Sequence, residues 1–327
     1  MAARIALVQF DPKLAKIPDN IAQAEKLTQH LQPNTLDLLC FPEMAFTGYS
    51  FPDLPTITPF LESPTSGPTF TFCSALAKRL SCHIIAGFPE RVESTPSYSD
   101  SAEVVAANSA MVVNPQGELI HCYRKTNLFM MDKPWAQAGT GLAVVDLPPP
   151  LGRTALAICM DLNPISPGPF TVSTIPYEVA DFVLANECRT LVAPCNWLDP
   201  GTHLDRNWCL GTVNYWTNRL YPLWADPDED VHADEDEEDG SDVMSTHSGS
   251  EATKVETEEA GEDNSLATDA GRDVLAVICN RSGTELGTTF AGTSTLFKMV
   301  RGKEPEVVGL LRRDESSVRV YNIERSF

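Results

Sequence analysis

An α/β fold is predicted by two observations on this 327-residue chain. Apolar runs of strand length alternate with segments whose apolar residues recur every three or four positions, and the alternation continues along the whole length without a repeat or an uncharged linker. With 43% hydrophobic residues, the chain can bury one large core. One domain over residues 1–327 is therefore expected, interrupted by an acidic insert at about 226–270.

Residues 4–9 open the chain as a strand. Pro18-Asp19-Asn20 starts a helix, because proline is tolerated in a first turn, and Ile21, Ala24, Leu27 and Leu31 share one face before Pro33 closes it. A strand follows at 36–41 and a helical pattern at 70–80. Strands are expected at 83–88, 109–114 and 118–123, the last two joined by Asn114-Pro115-Gln116-Gly117, which has the chemistry of a hairpin turn. A strand at 154–159, a helix at 177–186, a strand at 190–194 and a helix at 205–220 continue the pattern, and a strand at 274–279 resumes it beyond the insert.

Residues 226–263 hold 17 acidic side chains against the single basic Lys254, so −16 of the formal net charge of −21 sits there and −5 is left for the rest. Rich in Ser, Thr, Gly and Glu, this stretch has too few apolar residues to offset its ordering entropy and is expected to be a disordered surface loop. A balance this acidic offers no basic footprint, and no apolar run approaches a membrane span, so neither nucleic acid nor membrane is expected as a partner. Nine cysteines, an odd count without a Cys-x-x-Cys pair, argue against a disulfide framework or a zinc site and for a reducing compartment. The chain enters a strand by Arg4, which leaves no room for a signal peptide, and a cytoplasmic location is expected. Oligomeric state is not legible.

Chemistry enters where strands end. Cys159 closes the apolar run 154–158 and precedes Met160-Asp161-Leu162-Asn163-Pro164; Glu43 follows the strand at 36–41, and Lys125 follows the strand at 118–123. A thiol attacks as thiolate and is mostly protonated at neutral pH, so it needs a base nearby. A partly buried carboxylate such as Glu43 can take that proton and return it to a leaving amine, and Lys125 can hold an oxyanion, a service worth about 3 kcal/mol per donor. The set suits attack on an amide or nitrile carbon. Each residue also has an ordinary structural reading: a core thiol, a loop acid, and a solvated basic pair with Arg124.

Their surroundings decide between the two. Phe41-Pro42-Glu43 with Thr47-Gly48-Tyr49, then Tyr123-Arg124-Lys125-Thr126-Asn127-Leu128-Phe129, then Ile158-Cys159-Met160-Asp161 resemble the Glu, Lys and Cys signatures of the nitrilase superfamily, with 82 residues from Glu43 to Lys125 and 34 from there to Cys159. The resemblance extends to the opening strand, to Leu191-Val192-Ala193-Pro194-Cys195-Asn196-Trp197 and to Ile278-Cys279-Asn280-Arg281-Ser282-Gly283 with Gly292-Thr293-Ser294. Most members carry arginine two positions beyond the Asp of the cysteine motif, where this chain has Asn163. That variant, with the stretch 212–223, is similar to the fungal protein N-terminal amidases.

The resemblance implies a four-layer α-β-β-α sandwich of the nitrilase type and hydrolysis of the side-chain carboxamide of N-terminal Asn or Gln, with protein or peptide N-termini as substrates and no cofactor or metal. In that reading Cys159 is the nucleophile, Glu43 the acid and base, and Lys125 the oxyanion donor, helped by the main-chain N–H of Met160. Asp161, the carboxylate nearest the nucleophile in sequence, is expected to receive the substrate's α-ammonium, and Asp132 to support Lys125. Two other classes stay open: a small-molecule amidase or ω-amidase with the same three residues, and a non-catalytic interaction protein using its acidic loop.

Overall fold

The computed structural model describes residues 1–92, 105–165, 176–226 and 272–325; the expected acidic loop lies outside them from residue 227 onward. In chain order the elements are β1 (Ala2–Gln9), α1 (Ile17–Thr28), β2 (Leu38–Cys40), α2 (Leu54–Ile57), α3 (Pro68–Leu80), β3 (His83–Val92), β4 (Val105–Val113) and β5 (Leu119–Arg124). The second half holds β6 (Ala143–Asp146), β7 (Arg153–Leu156), α4 (Glu178–Ala185), β8 (Thr190–Cys195), α5 (Leu210–Arg219), β9 (Asp273–Asn280), β10 (Thr284–Glu285), β11 (Thr288–Thr289), β12 (Thr295–Val300), β13 (Glu306–Leu310) and β14 (Ser317–Glu324).

Two six-stranded sheets form, one in the order β14-β1-β2-β3-β4-β5 and the other β13-β12-β9-β8-β7-β6. In each, three central strands run parallel, β1 to β3 in the first and β7 to β9 in the second. Alternation along β1 shows how the layers arise, since successive side chains of a strand point to opposite faces. Ala3, Ile5 and Leu7 pack with residues of β7, β8 and β9 between the sheets, while Ala6 and Val8 pack with Ala24 of α1 and Leu76 and Leu80 of α3. Val179 and Val183 of α4 and Val213 and Trp216 of α5 join the core of the second sheet, and the stack is helix, sheet, sheet, helix. Cys279 of β9 ties the two sheets, its thiol donating toward Val8 O at 3.4 Å and Cys40 O at 3.2 Å.

Boundaries differ from expectation where capping or pairing decides them. α1 stops at Thr28, short of Leu31, and α5 begins at Leu210 rather than near 205. The strand expected at 154–159 ends at Leu156. The turn at 114–117 forms as its residues dictate: Gly117 N–H donates to Asn114 O at 2.8 Å with Gly117 at φ 78°, and the Asn114 side chain accepts from the Gln116 and Glu118 N–H groups. No helix among the described residues is long and apolar enough to cross a membrane.

Candidate active site

Parallel strands put their carboxyl ends on one side, and it is there that an open sheet leaves room for a ligand. Beyond the end of β2 the chain stays beside β3, with Phe41 N–H donating to Ile85 O at 2.8 Å and Gly87 N–H to Pro42 O at 3.0 Å. This delivers Glu43 into the interior, fully buried. A side chain at Gly87 would block it, since a Cβ there would lie 2.5 Å from Glu43 Cα. Lys125 follows β5 directly, its N–H paired to Asn108 O of β4 at 2.8 Å and its side chain buried.

Beyond β7, Ala157 N–H still pairs with Val192 O at 3.1 Å, and the chain then turns. Cys159 is the first residue of a short 3-10 turn, Cys159–Leu162, and sits at φ 45°. Left-handed backbone is uncommon for a side chain of this kind, and strain of that sort persists only where neighbours enforce it. The thiol therefore belongs to a turn presented beyond the strand, three residues past the strand's end.

One ammonium holds two acids. Lys125 Nζ donates to Glu43 Oε1 and to Asp132 Oδ2, both at 2.7 Å. Asn108 Nδ2 bridges the same acids, at 2.7 Å to Glu43 Oε1 and 3.0 Å to Asp132 Oδ1. Asn196 N–H donates to Glu43 Oε2 at 2.7 Å, and Phe129 N–H to Asp132 Oδ2 at 2.9 Å. The Tyr49 ring lies 5.8 Å from Lys125 Nζ, and its buried hydroxyl has no partner among the described residues.

Burial pushes the Glu43 carboxyl up, opposed by the Lys125 charge and reinforced by that of Asp132. For Lys125 burial alone favours the neutral amine, but the surrounding groups, Glu43 foremost, outweigh it and hold the amine well above its usual range. A fixed cation thus stands beside an acid of raised proton affinity, the combination that proton transfer at a developing oxyanion requires. Cys195, at the end of β8, is the second thiol here; burial first, then its hydrogen bond with Cys159, push it well up, so it stays protonated. Cys159, unlike Cys195, lines a pocket of about 300 Å³ with Phe129, Met160, Asn163, Asn196, Trp197 and Leu198.

The remaining expected residues fall as follows. Asp132 meets Lys125. Met160 is the second residue of the 3-10 turn, ahead of the turn's first internal bond from Asp161 N–H to Ile158 O, so its own N–H has no acceptor within the turn. Asp161 is buried with its carboxylate already taken: Oδ1 accepts from Thr126 and Asn127 N–H at 3.1 and 2.7 Å, and Oδ2 from Tyr123 Oη and Ile158 N–H at 2.7 Å each. Four donors saturate its lone pairs, which corrects the expectation that it receives an ammonium. It locks the Cys159 turn to the loop after Lys125 instead. Asn108, Tyr49 and Asn196 were not foreseen as site residues; a polar Asn108 amid the apolar run of β4 was the one local signal.

Residues 4–163, which include Glu43, Lys125 and Cys159, match the carbon-nitrogen hydrolase family. The chain is similar to the protein N-terminal amidase of Schizosaccharomyces pombe, 28% identical with 98% of this chain and 100% of the relative covered. It is also similar to the protein N-terminal amidase of Saccharomyces cerevisiae, 23% identical over 98% of this chain and 91% of the relative. Among solved structures it superposes on an N-terminal amidase bound to an Asn-Glu-Ala peptide, with TM-score 0.72, 19% identity and 99% of each chain covered.

Proposed function

We propose that this chain, whose residues 4–163 match the carbon-nitrogen hydrolase family, hydrolyses the side-chain carboxamide of N-terminal Asn or Gln in proteins and peptides, releasing ammonia and leaving Asp or Glu. The carrying observation is Glu43, buried and braced by Lys125, Asn108 and Asn196, the last of which lines a pocket together with Cys159. Two fungal relatives aligned over nearly the whole chain bear the name protein N-terminal amidase, which supports the substrate class.

In this reading Glu43 takes the proton from Cys159 Sγ, and the thiolate adds to the carboxamide carbon. Lys125 and the Met160 N–H hold the oxyanion. Glu43 then passes its proton to the amide nitrogen, the C–N bond breaks and ammonia leaves. Water, giving a proton to Glu43, attacks the thioester; the C–S bond breaks, the proton returns to sulfur and the acid departs. Asp132 and Asn108 keep Lys125 and Glu43 in place. Nine free thiols fit the cytoplasmic setting we propose for it.

Ammonia release from Asn- and Gln-initiated peptides, beside free asparagine and glutaramate-type amides, tests the reading. Peptides are expected to react faster, with no turnover by Cys159→Ser and an acyl adduct on Cys159 in the trapped wild type. Faster turnover of the small amides, or an adduct on Cys195, overturns it.

A further inference from the structure

With Asp161 saturated, no residue lining the pocket beside Cys159 is acidic. Yet a substrate that begins at its N-terminal residue brings an ammonium within a few bonds of the scissile carboxamide. Asn196 offers something else. Its side chain is 2% exposed and lines that pocket, and neither Oδ1 nor Nδ2 has a hydrogen-bond partner among the described residues. Buried polar atoms are nearly always paired, so an amide with both halves idle beside a nucleophile marks a place for a ligand.

What the amide can complement follows from its chemistry. One acceptor and two donors, held side by side, match a group that presents a cation and a carbonyl flanking a single carbon. The first residue of a chain is such a group, with its α-ammonium and peptide carbonyl on either side of Cα. We propose that Asn196 is a specificity residue, its Oδ1 accepting from the substrate's α-ammonium and its Nδ2 donating to the first peptide carbonyl; this rests on the N-terminal amidase reading. The backbone of the same residue meets Glu43 through its N–H, so one residue sets the distance between the substrate's amine and the base. A neutral amide suits this position: a carboxylate here would place another negative charge beside Glu43, whose proton affinity burial already raises.

The test compares an Asn-initiated peptide with its succinamoyl counterpart, in which hydrogen replaces the amine, on the full-length enzyme. Wild type is expected to prefer the free amine by at least about 10-fold in kcat/KM, the range of one hydrogen bond to a charged group. Asn196→Ala is expected to bring that preference close to unity while the acid limb of the pH profile on the succinamoyl peptide stays in place, because alanine keeps the N–H to Glu43. Asn196→Asp keeps the shape, sets a charge opposite the ammonium and is expected to widen the preference; it carries the test if the alanine variant does not fold. An undiminished preference in Asn196→Ala, equal losses on both peptides with a shifted acid limb, or an unchanged preference in Asn196→Asp each overturns the assignment while leaving the amidase reading intact. Failure of the wild type to act on any Asn- or Gln-initiated peptide removes that reading and this assignment together.

Discussion

Asp132 carries a charge that raises the proton affinity of Glu43 above what its contact with Lys125 alone would allow. Its negative charge raises the Glu43 carboxyl, so removing it lowers that pKa and keeps Glu43 ionised to lower pH. Asp132→Asn is therefore expected to move the acid limb of kcat/KM to lower pH, and to reduce kcat about 10- to 100-fold as Lys125 loses a charged acceptor. A limb that stays put or moves upward separates Glu43 from the titration. At this scale the sequence spoke through motif: the thiol, acid and amine each had an ordinary structural reading, and the resemblance of their surroundings singled them out. Asn196 was not, because what marks it is an amide without a partner among the described residues, in a residue that lines a pocket with Cys159, and a main-chain bond to an acid 153 positions away. Asp161 was misread for the same reason, since the four donors that occupy it come from β5, from the loop after Lys125 and from the start of its own turn.

The helix α3 depends on an acid outside it. Its N-cap, Gly67, has no side chain, and Glu62 supplies the cap, with Oε2 accepting from Thr69 N–H at 2.8 Å and Oε1 from the Thr69 hydroxyl at 2.9 Å. Burial pushes the Glu62 carboxyl from its ordinary 4.5 up to about 7. The unfolded chain gives up this proton near 4.5, whereas the folded chain keeps it to about 7, so the stability from Glu62 is full below 4.5 and declines as pH rises to 7. Across that window the decline is on the order of 3 kcal/mol. Urea unfolding at pH 5 and 7.5 is expected to show it in the wild type and not in Glu62→Gln; equal slopes would sink the claim. Except for β12, whose apolar run Lys298 interrupts, the central strands were legible because burial on both faces makes them continuous apolar runs, as in β8 and β9, every residue of which is buried. β6, β13 and β14 were not. They are sheet edges in which exposed and charged residues interrupt the pattern, such as Glu306 and Val307 in β13 or Arg319 and Val320 in β14.

For the molecule as a whole, every strand of the described residues and every candidate site residue lies outside the acidic segment. The flanks are anchored independently: Gly302 N–H donates to Trp224 O at 2.9 Å, and Arg272 Nη2 to Glu187 O at 2.9 Å. Replacing residues 228–265, which hold 16 acids and Lys254, with a short Gly/Ser link changes the net charge from −21 to −6. It is expected to leave kcat/KM unchanged and to shift stability by less than about 1 kcal/mol, because closure entropy grows only with the logarithm of loop length. Lost activity at an unchanged melting temperature would make the segment part of substrate recognition.

The pairing of β1 with β14 along all eight residues, from Ala2 opposite Glu324 to Gln9 opposite Ser317, has a consequence in time. Translation delivers β1 first among these elements and β14 last, so the first sheet cannot close until β14 has been made. Throughout that interval the nascent chain carries β1 with one edge unpaired, an invitation to pair with another chain. The first strand made is thus the one that waits longest for its neighbour, and the window for misassembly is set by how fast the ribosome moves.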